Sequence, residues 1–250
     1  MPKPFVAMVK MELKSRMAFP VFELLLLTFI LMFIVLIMGS SRGGGSGLDH
    51  TLTRIRIYQA TDMQWISPLS TALLFLSLML SVLVSVALAG EYEHGLITTY
   101  LSLPLTRSQY LGAKYVVYFI CSIIIVFSAF VFSMLLTPYQ LTLPKIILSL
   151  GILGSSVMFF LALSVFIAVY TRKTVHSFLV LLTLDLLFRF VGVNFQVPLK
   201  YFFVPTFVLL ETDLLEPLTW GVLLPIILTV FLIYLSFHKF QSIDILGDHN

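Results

Sequence analysis

The side chains of this 250-residue chain that could do chemistry are few and far apart. Its five histidines, His50, His94, His176, His238 and His249, form no His-Glu-x-x-His pair, so two zinc ligands on one helix face are missing. Cys121 is the one cysteine, which excludes an intrachain disulfide and a cysteine-built metal centre. The glycine run from Gly43 to Gly47 is not followed by the Gly-Lys-Ser/Thr that grips phosphates, so the chain has no nucleotide-binding loop of its own. An enzyme is therefore not expected, nor a cofactor or metal held by this chain. Two groups of charged residues remain. Glu91, Glu93 and His94 stand together before Gly95, and Asp185 and Arg189 are set four apart inside an apolar run.

The elements that position these residues must suit hydrocarbon. The chain is 59% apolar and 11% charged, whereas a soluble domain carries roughly a quarter charged residues. Disorder needs the opposite composition. A bilayer core takes roughly 20 apolar residues of helix to cross. Residues 21–38, 69–89, 115–136, 146–170, 175–193 and 218–237 satisfy that length. They lack the alternation of barrel strands, and backbone in lipid must bond within itself, so the expected fold is an all-α, polytopic bundle of six membrane helices. The chain reads as one transmembrane domain.

An even number of spans puts both termini on one side. With that side cytoplasmic, nine of the 15 lysines and arginines fall inside, four of them in the cluster Lys3, Lys10, Lys14 and Arg16. The expected location is the plasma membrane, multi-pass, with both termini in the cytoplasm. The basic residues make no continuous stripe, so nucleic acid is not an expected partner; the lipid bilayer is.

Between the spans, residues 1–20 read as an interfacial elbow helix. At 100° per residue Phe5, Val6, Val9, Leu13 and Met17 form one stripe, with Lys3, Lys10 and Lys14 beside it. Glu12 and Arg16 are spaced to pair with each other. Within the outer connection 194–217, residues 199–210 are too apolar for a free loop and too short to span. The connection reads as an outer re-entrant hairpin, its apolar stretch interrupted by Pro205 and followed by Glu211, Asp213 and Glu216. Thr171-Arg172-Lys173-Thr174 is a short turn between the fourth and fifth spans. Gly151 and Ser155 are small residues that would admit a close helix neighbour.

Residues 90–114 carry the most information. Leu96, Ile97, Tyr100 and Leu101 have the i, i+4 pattern of a short amphipathic helix, ended by Pro104. Thr106 and Gln109 have the spacing of a capping box that would start the next helix. A short helix tied at each end to a membrane helix cannot move without tilting both. In the membrane, Asp185 and Arg189 would each cost about 2.5–3.5 kcal/mol at the bilayer centre. Four apart with the acid first, they can neutralise each other. Both a polar lining to a translocation path or subunit contact and a purely internal ion pair fit that spacing.

Glu91-Tyr-Glu-His-Gly95 directly after a span, Leu101-Ser-Leu-Pro104-Leu-Thr-Arg107, and Gly112-Ala-Lys114 entering the next span together resemble the membrane (permease) subunit of type-2 ABC exporters. His94 departs from the family's usual basic residue, and the glycine run in the first outer loop has no counterpart. The resemblance implies two membrane subunits, identical or related, with separate soluble ABC ATPase subunits that bind ATP and Mg. It implies transport by alternating access. Glu91, Glu93, Gly95, Leu96, Tyr100, Leu103, Pro104 and Arg107 would form the ATPase coupling contact, the carboxylates meeting donors on the partner and Gly95 permitting the turn. From the residues alone, a self-sufficient channel or secondary transporter, or a non-transporting membrane anchor, stays open beside this reading.

Overall fold

A computed structural model describes residues 4–17, 81–102, 105–136, 143–194 and 215–242, together with positions 27, 31 and 79. Every regular element among the described residues is a helix. In chain order these are α1 (Pro4–Met17), α2 (81–93), α3 (Leu96–Leu101), α4 (Arg107–Leu136), α5 (Leu143–Thr171), α6 (Thr174–Asn194) and α7 (Leu215–Ser242). Among the described residues two stretches, Ile146–Thr171 in α5 and Leu215–Ser242, are long and apolar enough to cross a membrane, against the six expected of the whole chain. The expected span 21–38 and the beginning of 69–89 lie largely outside the described residues. The spans expected at 115–136 and 175–193 fall within α4 and α6 as continuous helix, although part of their side chains lie outside the described set. The loop 40–67 and most of the expected hairpin 194–217 also lie outside it.

Helix α5 is the axis of the described structure. It packs against α4, α6 and α7, and 83% of its apolar stretch is buried, against 17% for α7. The difference fits a central helix surrounded by others and a peripheral one that turns Ile227, Val230, Phe231 and Tyr234 outward. The turn into α6 needs only two residues, because Arg172 takes a left-handed conformation (φ 53°) while its N–H still donates to the Ala168 carbonyl at 3.0 Å. Helix α4 begins eight residues before the expected span. Its start is the capping box read from the sequence: the Gln109 N–H donates to Thr106 Oγ1 (3.2 Å) and the Thr106 N–H to Gln109 Oε1 (3.1 Å).

The last helix contains a feature that the apolar pattern hides. Residues Thr219–Leu223 form a π-helical turn just before Pro225. Proline has no N–H, so the carbonyl four residues earlier, that of Gly221, loses its usual intrahelical donor. The Ser155 hydroxyl on α5 donates to that carbonyl at 2.7 Å. Ser155 is 3% exposed and therefore joins two helices by a hydrogen bond, a stronger role than the small size assigned to it by sequence. Gly151 is exposed, and a methyl group there would only touch Val222 at 3.7 Å. Ser155→Ala should leave a buried carbonyl unmet and lower stability by about 1–3 kcal/mol, whereas Gly151→Ala should be nearly silent. Thermal unfolding of the two variants in one detergent checks the contrast.

Candidate functional site

At one end of the bundle a single core gathers residues from six of the seven helices: Met8 of α1, Leu88 of α2, Ile97 of α3, Tyr110 and Leu111 of α4, Val165 and Ala168 of α5, and Phe240 of α7. Helix α3 lies here. The chain leaves α2 through Glu93 and turns at Gly95, whose φ of 67° and ψ of 11° lie in the left-handed region that favours glycine. The bend is fastened by the His94 N–H donating to the Gly90 carbonyl (3.0 Å) and the Gly95 N–H to that of Tyr92 (3.1 Å). The Thr98 hydroxyl donates to the Gly95 carbonyl (2.6 Å) and Ser102 Oγ to that of Thr99 (2.7 Å), so side chains supplement this six-residue helix. Ile97 faces the core and Leu96 faces outward, 46% exposed.

Inside the core lies a charged cluster. Lys114, on the second turn of α4, is 1% exposed. Its Nζ donates to Glu12 Oε1 of α1 at 2.7 Å and to Glu91 Oε1 of α2 at 2.6 Å. The Tyr110 hydroxyl donates to the other oxygen of Glu91. The ammonium also lies 5.3 Å from the ring centre of Tyr100 on α3 and 5.7 Å from that of Tyr110, within cation–π range. Burial, reinforced by the Glu91 carboxylate, drives the Tyr110 hydroxyl well above the usual phenol range, so it stays a donor to Glu91. Tyr110 stacks on Phe240 at 5.8 Å, and Tyr92 meets the same ring edge-on at 6.1 Å. Burial drives the Tyr92 hydroxyl well upward too.

Glu93 points the other way and is exposed. Its Oε2 accepts the backbone N–H of Thr174 at 3.0 Å, which makes it a cap for the first turn of α6 supplied by another helix. The Thr174 hydroxyl first, then the Thr174 N–H, hold the Glu93 carboxyl below the usual carboxylate range, with smaller help from His94 and Lys173. Two acids two residues apart thus grip different elements: Glu91 holds α4 and Glu93 holds α6.

Several expected site residues meet in this region. Glu91, Glu93, Gly95, Leu96 and Tyr100 belong to α2, α3 and the bend between them, and Arg107 Nη1 donates to the Gln241 carbonyl at the end of α7 (2.9 Å). Leu103 and Pro104 lie outside the described residues. Asp185 and Arg189 are one turn apart on α6, with their side chains outside the described set. Both carboxylates, expected to meet donors on a partner, are met by donors of this chain. Glu12, expected to pair with Arg16, reaches Lys114, and the Arg16 side chain lies outside the described residues.

Sequence reasoning passes over Glu12, Tyr110 and the hub role of Lys114. The signal for Glu12 is its place four residues after Met8, the most buried apolar residue described on α1. Among the described residues no group of three histidine, cysteine, aspartate or glutamate side chains could hold a metal ion. No protein-family model matches the chain, and no curated protein matches it.

Removing one member of a buried ion cluster costs more than removing all of it. Lys114→Met leaves two buried carboxylates without their ammonium and should destabilise the chain by about 3–5 kcal/mol. The triple variant Glu12→Gln, Glu91→Gln, Lys114→Met should recover most of that loss in thermal unfolding. For Glu93, the depressed carboxyl stabilises the fold above the ordinary carboxylate value of 4.5, and the contribution is lost as pH falls through the lower folded value. The stability gap between wild type and Glu93→Ala should therefore be full at neutral pH and shrink as pH falls below about 5, as unfolding measured against pH would show.

Proposed function

We propose that this chain is the membrane-spanning permease subunit of an ATP-driven exporter of the type-2 ABC class. In this reading it crosses the plasma membrane six times with both termini cytoplasmic, pairs with a second membrane subunit, and takes its power from a soluble ABC ATPase. ATP and Mg belong to that partner; this chain contributes the lever.

The observation that carries the reading is the way α3 is built in. A helix of six residues is marginal alone. Here it is bent away from α2 at Gly95, seated through Ile97, and flanked by Glu91 and Glu93, which grip α4 and α6. A push on its outer face is passed to α4 and α6 at once, through the buried Glu91–Lys114 pair and the Glu93 cap. Leu96 is the apolar residue that α3 leaves outward, and it is the natural contact for a motor subunit. Alternating access then follows as tilting of the helices that line the path, with Asp185 and Arg189 on α6 as the polar positions along it.

Leu96→Asp alters the outward face without touching the internal clasp. Co-purification of the full chain with an ABC ATPase encoded beside it should fall about tenfold or more in this variant, with no change in the chain's own unfolding temperature. Stimulation of the ATPase should fall with it. Equal capture and equal stimulation would remove the lever reading. Substrate flux by the pure chain in liposomes without ATP would replace it with a channel or secondary transporter.

A further inference from the structure

We propose that the charge of Glu12, and not apolar contact alone, fixes how the elbow helix α1 docks, and that Lys114 makes α1 and α3 one mechanical body. Its use as a second lever rests on the reading of α3 given above; the docking itself does not.

The stripe expected from 100° spacing does not face inward as a unit. Val6 is 53% exposed, and Met11, with Lys10 and Lys14, also faces outward. Among the described side chains of α1, Met8 and Glu12 are fully buried, with Phe5, Val9 and Leu13 half-buried around them. Phe5 lies over Gly112, where a methyl group would stand 3.7 Å from its ring. The rotation of the helix that brings Glu12 inward is the one that takes Val6 out of the stripe. A carboxylate enters a core only where a cation meets it, and Lys114 meets Glu12 there.

The consequence is a strap with two positions. Lifting α1 would strand Glu12 and disturb the ammonium that Glu91 and the Tyr100 ring also share, so the cluster stays dry and closed or opens and is hydrated as a whole. Intermediate positions leave charges unmet. Because the same ammonium touches α1, α2 and α3, a displacement of α3 carries α1 with it.

The test uses the full chain in lipid nanodiscs, with Cys121 replaced by alanine and spin labels at positions 11 and 96, both outward-facing. The variant Glu12→Met keeps Lys114 paired with Glu91 and adds apolar surface to α1. It separates the two docking modes by sign. Charge docking predicts a single narrow distance in the otherwise unaltered chain, its loss in Glu12→Met, and its return in Glu12→Asp, which restores the charge. A narrow distance that persists in Glu12→Met, or a broad one with Glu12 in place, would overturn the proposal. Should Glu12→Met fail to elute as a single species, Glu12→Gln is measured in its place, with partial loss of the narrow distance expected and an unchanged distribution counting against docking by charge. No ATPase is present, so a failure of motor binding elsewhere cannot be mistaken for a failure of docking.

Discussion

One buried ammonium decides how the inner part of this structure is arranged. Lys114 sits in a core of tyrosine, phenylalanine and aliphatic side chains, where an unmet charge is untenable. Two carboxylates from two other helices therefore converge on it, and each brings its helix. Glu12 sets the rotation of α1, and Glu91 sets where α2 ends against α4. Tyr110 completes Glu91 and, through Phe240, extends the cluster to α7. Apolar contacts are non-directional, whereas the charged ones need each carboxylate within hydrogen-bond distance of the same ammonium. This is the sense in which a buried ion cluster specifies an arrangement even where it adds little net stability.

Such an arrangement explains how so small an element as α3 can matter. Six residues with one buried side chain do not form a rigid body alone. They become part of one because the positions just before them, Glu91 and Glu93, are anchored on opposite sides. One anchor is dry and the other exposed, so they differ in what releases them: loss of a charge partner in the first, acid or competition by water in the second. The geometry supplies a physical reason for the order of residues 91–95. Acid, acid and glycine follow one another because the chain must hold two neighbours and then turn.

Features governed by neighbours in sequence are legible in the residues themselves. The Thr106–Gln109 cap, the left-handed turn at Gly95 and the short connection at Arg172 each depend on a few adjacent residues, and each is where the pattern puts it. Features governed by tertiary partners are not. Glu12 is spaced to pair with Arg16, and that local spacing does not reveal the buried lysine 102 positions away in sequence that it also reaches. Hydropathy marks residues 218–237 as a span without revealing the π turn, because that turn answers to Pro225 and to a serine on another helix. Ser155 is legible as small; its hydroxyl's partner is not. For Asp185 and Arg189 the spacing on α6 is as read, and their side chains lie outside the described residues.

The central claim is that Lys114 holds α1 and α2 together through two carboxylates. An experimental density map of the full chain in a lipid nanodisc tests it most directly. The account predicts Lys114 Nζ buried and within hydrogen-bond distance of both Glu12 and Glu91, with Val6 on the outer side of α1. A map with Lys114 turned to water, or with the Val6 stripe packed inward and Glu12 outside, would contradict it.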